Sequence, residues 1–264
     1  MQFLSPDKIR TEKVGKKTVT IKEKIIPDSA VATRVVASYV NIGDKMKPCK
    51  KLADGLPLGI TIHNTNDITV NPATTPAEQY TRATWPEQYM GGAVVHFYVY
   101  KDDVWQNLSE TEQGWHAGDK GNRRKGKRGT LIGGNLDTIA IECIGSDPET
   151  EETGALLIAY LCKKYSLDPE LDVYSHNYFM HGKDEIVRMA YKNCPYYILP
   201  HFKDFIDRIK ELMSESDEKE HWAKKYYDIL KNEKGIEIFE QRFDDNITRG
   251  EFFAFIVRLM NKIM

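Results

Sequence analysis

Tyr191-Lys192-Asn193-Cys194-Pro195 sets a cysteine between a lysine and a proline, well separated from the other three cysteines of the chain. What that sulfur does decides how the rest must fold. Read alone, it is a buried cysteine before a turn proline. Read as a metal ligand, it is one donor of a set, because catalytic zinc takes three protein ligands and leaves its remaining position to water. With no CxxC pair in the sequence, two more donors, most simply histidines, must be carried to Cys194 from distant segments. The ends of buried strands are where a fold holds such groups rigidly.

Two segments end this way. Lys45 to Pro57 is a loop marked by Pro48, Gly55 and Pro57, and it feeds Leu58-Gly59-Ile60-Thr61-Ile62-His63. Alternation puts Ile60 and Ile62 on one face and Thr61 and His63 on the other. Leu171-Asp172-Val173-Tyr174-Ser175-His176 is a second extended segment ending in histidine, eighteen residues before Cys194. A third strand, Asp137 to Ile144, separates Ile139, Ile141 and Cys143 from Ala140, Glu142 and Ile144. A glutamate in so apolar a strand is costly to bury unpaired, so Glu142 should meet a cation, a metal-bound water or an open cleft. That makes it a candidate acid/base, with a structural ion pair as the alternative.

The remaining elements fill in an α/β pattern. Ala93 to Tyr100 reads as a strand containing His96, and Lys101-Asp102-Asp103 turns it into Val104-Trp105-Gln106 as a hairpin. Taken alone, His96 is a core histidine. Thr18 to Ile21 reads as an edge strand and Val31 to Val40 as a helix packed on the main body. Pro76 to Trp85 is a helix with Thr75 as its cap and Pro76 in the first position. Glu151 to Tyr165 is amphipathic, with Ala155, Leu156, Ala159 and Cys162 inward, and Pro200 to Met213 closes the larger domain.

Composition narrows the partners. A net charge of −2 and 41% apolar residues describe an ordinary globular chain with no global attraction to nucleic acid or anionic membrane. The loop Lys120 to Gly129 holds six cations, Lys120, Arg123, Arg124, Lys125, Lys127 and Arg128. Such a run either contacts carboxylates or is simply solvated, and without interleaved aromatics it is not expected to bind nucleic acid. Ala155 to Cys162, the longest apolar run, is too short to span a bilayer. Met1 to Lys8 lacks the features of a secretory signal, so synthesis in the cytoplasm is expected, and the four cysteines are expected to be reduced.

In order along the chain, Ile60-Thr61-Ile62-His63-Asn64-Thr65, Val95-His96-Phe97-Tyr98-Val99, Trp115-His116-Ala117-Gly118-Asp119, Ile139-Ala140-Ile141-Glu142 and His176 through Cys194-Pro195 resemble the type 2 N-acetylmuramoyl-L-alanine amidases of phage endolysins, autolysins and peptidoglycan recognition proteins. The resemblance covers about residues 30–210. It implies a mixed central β-sheet flanked by helices, and an open groove admitting a peptidoglycan strand with its stem peptide. It also implies one Zn2+ held by His63, His176 and Cys194, with Glu142 as general base and Lys192 stabilising the oxyanion. His96 and His116 are then expected against the substrate. The bond cut would join the lactyl group of N-acetylmuramic acid to L-alanine. A wall-binding protein of the same fold without catalysis is the alternative.

Two departures from the family pattern matter. Several relatives carry a tyrosine where this chain has Val95, which removes a tyrosine proton shuttle there. The segment Asn177 to Tyr191 is long and contains His181, a rival to His176. Beyond the catalytic stretch, 1–213, Ser214 to Lys219 reads as a charged linker, and 220–264 as a helical module. Trp222, Tyr226, Ile229 and Leu230 form one stripe; Thr248-Arg249-Gly250-Glu251 is a capping box ahead of inward Phe252, Phe255, Ile256 and Leu259. The module resembles a single S-layer homology repeat, which implies attachment to secondary cell-wall polymer; docking or a homodimer is the other expectation. A wall substrate and no signal peptide fit a phage or prophage endolysin released through a pore, or an autolysin freed by lysis.

Overall fold

The computed structural model describes residues 3–66, 68, 73–180 and 192–214, together with Phe252, Ile256 and Val257. The chain divides into two compact units, Met1–Glu215 and Ser216–Met264. In the second, Phe252, Ile256 and Val257 are helical. Phe252 is half-exposed, not inward as its stripe position predicted, while Ile256 of the same stripe is half-buried; Phe255, Leu259, the Trp222 stripe and the capping box lie outside the described residues.

The first unit is built on a seven-stranded mixed sheet. Its strands are β1 (Lys8–Val14), β2 (Lys17–Glu23), β3 (Gly59–Thr65), β4 (Phe97–Tyr100), β5 (Asp103–Gln106), β8 (Thr138–Ile144) and β9 (Val173–Ser175), in the order β1-β2-β5-β4-β8-β3-β9. A separate two-stranded ribbon, β6 (Arg124–Lys125) with β7 (Leu131–Ile132), folds back within the basic loop. β3 runs parallel to both β8 and β9, and β4 runs parallel to β8. Parallel strands buried on both faces usually read as continuous apolar sequence; β3 and β8 instead alternate, with apolar residues on the core face and Thr61, His63 and Glu142 on the other.

One face of the sheet carries Ile60, Ile62, Phe97, Val99, Ile139, Ile141 and Cys143 into the main core. That core is closed by α3 (Pro148–Tyr165) and α6 (Phe202–Ser214), which contribute Leu157, Ile158, Leu161, Phe205 and Ile209. Asp147 caps α3 through its carboxylate, and Ser166, in the left-handed region at φ 56°, ends it. On the other face α1 (Pro76–Thr84) is capped by Thr75 as expected, with Pro76 in the first turn. Gly59 opens β3 because a side chain there would meet the Asp172 carbonyl at 2.6 Å, at the end of the short helix α4 (Pro169–Asp172).

Four expectations change. The strand expected over Ala93 to Tyr100 is confined to Phe97–Tyr100, so His96 lies just before it and not within it. Val31 to Val40 is not a helix; Val31 makes a single antiparallel bridge to Lys45, and the segment between is a loop. Its valines are β-branched, and Val35 and Val36 face outward while Ala32 and Val40 are buried, a split that no helical stripe would produce. Thr18 to Ile21 belongs to β2, which has β1 on one side and β5 on the other; the edge strand is β1. The segment before His176 is divided, with Leu171 and Asp172 in α4 and only Val173–Ser175 in β9. The four cysteines are free, and among the described residues no helix is long and apolar enough to cross a membrane.

Candidate active site

The parallel register assembles the site. His63 of β3 pairs with Glu142 of β8, and Glu142 pairs in turn with Tyr98 of β4. Register partners project to the same side of a sheet, so these three side chains leave the face opposite the main core. β9 pairs with β3 as far as Ser175 opposite Ile62, and His176 follows immediately as the first residue of α5 (His176–Phe179). Here Nδ1 of His63 lies 2.9 Å from Nδ1 of His176. Cys194 reaches the same point from beyond Lys192, and the donor atoms of His63, His176 and Cys194 all lie within 4.8 Å of one another.

The cysteine is held by backbone and by Asn64. The Asn177 N–H donates to the Cys194 carbonyl at 3.0 Å, and the Cys194 sulfur lies 3.9 Å from the Asn64 carbonyl. The buried Asn64 amide donates to the carbonyls of Cys143 and Gly145, both at 2.8 Å, and its oxygen accepts from the Tyr197 N–H at 3.0 Å. One side chain thus ties the residue after His63 to the end of β8 and to the segment carrying Cys194.

His116 stands behind His63. Its Nδ1 is 3.0 Å from Nε2 of His63, with the two rings at right angles. The backbone N–H groups of His116 and Ala117 both donate to the Asn135 side-chain oxygen at 2.8 Å, and the Asn135 N–H donates to Asp119. Nε2 of His116 and Nε2 of His176 are buried and, among the described residues, have no hydrogen-bond partner.

Burial sets the protonation states. Desolvation, reinforced by neighbouring histidines and Lys192, holds His63 well below its ordinary 6.5, and desolvation does the same to His116. His176 is pushed down to about 4 by burial and then by Lys192. Burial lifts the Cys194 thiol to about 12 despite Lys192. Glu142 sits partly buried on the cleft floor; desolvation raises it to about 8, with Lys192 opposing. Neutral imidazoles beside a sulfur that ionises only against a cation form a donor set suited to a divalent metal. These groups, with Lys192, line an open cleft of ≈ 1150 Å³.

His96 does not belong to that lining. It is fully buried; its Nδ1 accepts from the Ala140 N–H at 3.0 Å, and its Nε2 donates to the Glu112 carbonyl at 2.7 Å. Both nitrogens serve the frame, extending the ladder between the approach to β4 and β8, so the expectation that it meets substrate is corrected. The basic loop is likewise spent on structure. Arg123 forks onto Asp137 and Arg128 onto Asp172, Arg124 stacks on Tyr178, and Lys127 donates to the carbonyls of Glu170 and Val173. Lys120 alone of the six lines the cleft. His181 lies outside the described residues.

Tyr98, Asn64 and Asn135 are site residues that sequence reading missed. Tyr98 stands beside Glu142, and burial, with the Glu142 charge, raises its phenol further, so it stays protonated. Strand alternation marks a face but not which strand lies alongside, and the β4–β8 pairing joins segments more than forty residues apart.

A family model described as N-acetylmuramoyl-L-alanine amidase matches residues 54–197. No curated protein matches the chain. Among solved structures, the catalytic domain of XlyA is 24% identical with a TM-score of 0.52, the match covering 72% of this chain and 99% of that one. A mutant endolysin from Bacillus subtilis is 25% identical, again with a TM-score of 0.52 and the same coverage. The PlyG catalytic domain is 17% identical with a TM-score of 0.50, covering 74% of this chain and 95% of that domain.

Proposed function

We propose that this chain, which belongs to the N-acetylmuramoyl-L-alanine amidase family, hydrolyses the amide between N-acetylmuramic acid and L-alanine in peptidoglycan with the help of one zinc ion. The observation that carries the reading is the convergence of His63, His176 and Cys194 within 4.8 Å in a cleft that also holds Glu142 and Lys192. Donors around one tetrahedral zinc stand about 3.3–3.6 Å apart, as bond lengths of ~2.0–2.3 Å require. The 2.9 Å between the two Nδ1 atoms and the 4.8 Å limit of the set bracket that spacing.

His63, His176 and Cys194 would hold the ion. Bound there, zinc supplies a water with a pKa lowered toward about 7 and polarises the amide carbonyl. Glu142, poised by burial rather than by an ion pair, would accept a proton from the attacking water on its carboxylate and return it to the leaving amine. The Lys192 ammonium offsets negative charge as the carbonyl carbon becomes tetrahedral. His116 is better read as orienting His63 than as touching substrate. If Nδ1 of His63 were the atom that held the ion, its Nε2–H would donate to Nδ1 of His116, 3.0 Å away, fixing the tautomer a ligand needs.

The deciding experiment is incubation of zinc-loaded protein with purified cell walls. Free L-alanine amino termini on released stem peptides, with falling turbidity, are expected. Tight binding to walls with no release would instead support the non-catalytic wall-binding reading. An endolysin role, and attachment to wall polymer or self-association through residues 216–264, complete the proposal. The Bacillus subtilis endolysin similarity supports the former; the S-layer-like sequence pattern supports the latter. A monomer in sedimentation of the intact chain would remove self-association.

A further inference from the structure

The stretch before the family match contributes a wall to the cleft. Val31 and Lys45 bridge at its neck, and the Ala32 N–H to Asp44 carbonyl bond at 2.7 Å and the Gly43 N–H to Ala32 carbonyl bond at 2.8 Å close it into a compact loop. Its inner side is anchored. Ala32, Val40 and Met46 are buried with Val94 and Leu108, and the Thr33 N–H donates to the Gln88 carbonyl at 2.7 Å. Its outer side is apolar and open, with Val35 62%, Tyr39 69% and Ile42 71% exposed. Monomeric chains keep such clustered apolar surface chiefly where something binds. Tyr39 and Val40 line the same cleft as His63, Glu142 and Cys194, so this surface is continuous with the reacting centre.

Two glycines seat the loop. A methyl at Gly91 would stand 2.9 Å from Val40 Cγ1, and one at Gly92, whose φ is +78°, would stand 2.6 Å from Cε2 of Tyr39. The ring therefore rests against bare backbone at Gly92 and still keeps 69% of its residue surface exposed.

We propose that Tyr39 is a glycan-binding platform, stacking on the apolar face of an N-acetylhexosamine of the strand whose stem peptide is being cut; the identity of this occupant rests on the amidase reading above. The charges around Tyr39 leave the platform near neutral. Lys45 and Asp44 both line the cleft and oppose one another, Lys45 also donating to the Asp28 carbonyl and Asp44 accepting from Asn41, while Arg34 lies over the Tyr89 ring. A neutral sugar needs only an aromatic face and apolar neighbours, which Tyr39, Val35 and Ile42 expose.

The test is calorimetric titration of the full chain with a chito-oligosaccharide of N-acetylglucosamine and, separately, with free stem peptide. Saturable sugar binding by the wild type is expected. Tyr39→Ala should weaken it about tenfold, equivalent to ~1.4 kcal/mol, while Tyr39→Phe stays within about twofold because stacking uses the ring and not the hydroxyl. Stem-peptide binding should be unchanged in both variants. Absence of saturable sugar binding by the wild type, unchanged sugar affinity in Tyr39→Ala, or a loss confined to the stem peptide would each overturn the proposal. Amide cleavage by the wild type is scored independently, so failure of the amidase reading shows as binding without release.

Discussion

Asn64 offers a sharp test of how the site is held together. Truncation to alanine removes three hydrogen bonds made by a buried side chain, two to the carbonyls of Cys143 and Gly145 and one from the Tyr197 N–H. At roughly 1 kcal/mol net for each, Asn64→Ala should cost about 3 kcal/mol of folding free energy. With a urea slope of about 2 kcal/mol per molar, the midpoint moves down by roughly 1.5 M. Asn64→Asp is nearly isosteric, yet it should be at least as damaging, because it turns a carboxylate oxygen toward two carbonyl oxygens where the amide had donated. Urea unfolding of the chelator-treated protein measures both, free of any contribution from bound metal. An Asn64→Ala variant within 1 kcal/mol of wild type, or an aspartate variant as stable as the parent, would refute this account of the clamp.

Other expectations concern the chemistry. Glu142→Gln should bind zinc as tightly as the parent and lose about 10²–10⁴-fold in turnover on purified walls; retained turnover would remove Glu142 from its role. His116→Ala should weaken zinc about 10–100-fold in competition with a fluorescent chelator, as loss of a ligand's orienting partner does. An unchanged zinc affinity would return His116 to the substrate side. The pH dependence of the zinc-free protein has two opposed parts. The buried histidines titrate below 6.5 when folded, His96 and His176 at about 4, so the unfolded chain binds more protons and stability is lost as pH falls below 6.5. Glu142 is raised from 4.5 to about 8, so there the folded chain holds the extra proton and stability declines as pH rises between those values. Above 6.5 the histidine contribution has saturated, and the decline toward about pH 8 should vanish in Glu142→Gln. A slope that persists in that variant would assign it to another group.

Much of the fold was legible because its central strands are short, apolar and alternating. β8 was found within a residue of its ends, β3 was found but runs two residues past the expected His63, and α1 was found with its cap. Segments that answer to distant partners were not legible. β1 is polar on most of its surface, and its place at the sheet edge follows from pairing with β2 while Arg10 reaches Glu110 a hundred residues away. Val31 to Val40 looked helical because Val and Ala recur through it, but what the segment packs on, Val94, Leu108 and Trp115, comes from later in the chain.

The candidate site shows the same division in a more instructive form. Donor types could be chosen from residue chemistry, since only a few side chains make metal ligands and a glutamate in an apolar strand stands out. Function within the histidine set could not, because it depends on which nitrogen is already occupied. His96 and His116 both lie in family-like stretches, and sequence alone gives each the same standing. In the structure, His96 spends both nitrogens on backbone groups, while His116 shares one with His63 and leaves the other without a partner. The separation follows from register. β4 meets β8 so that Tyr98, not His96, stands opposite Glu142, and the ring of His96 is left to satisfy the Ala140 N–H one strand residue before Ile141. A shift of β8 against β3 by a single residue would turn Glu142 away from His63 and into the core. On the function proposed above, the pairing of β3, β8 and β4 is what would equip Glu142 as an acid/base, and substitutions that loosen it should reduce turnover before they unfold the chain.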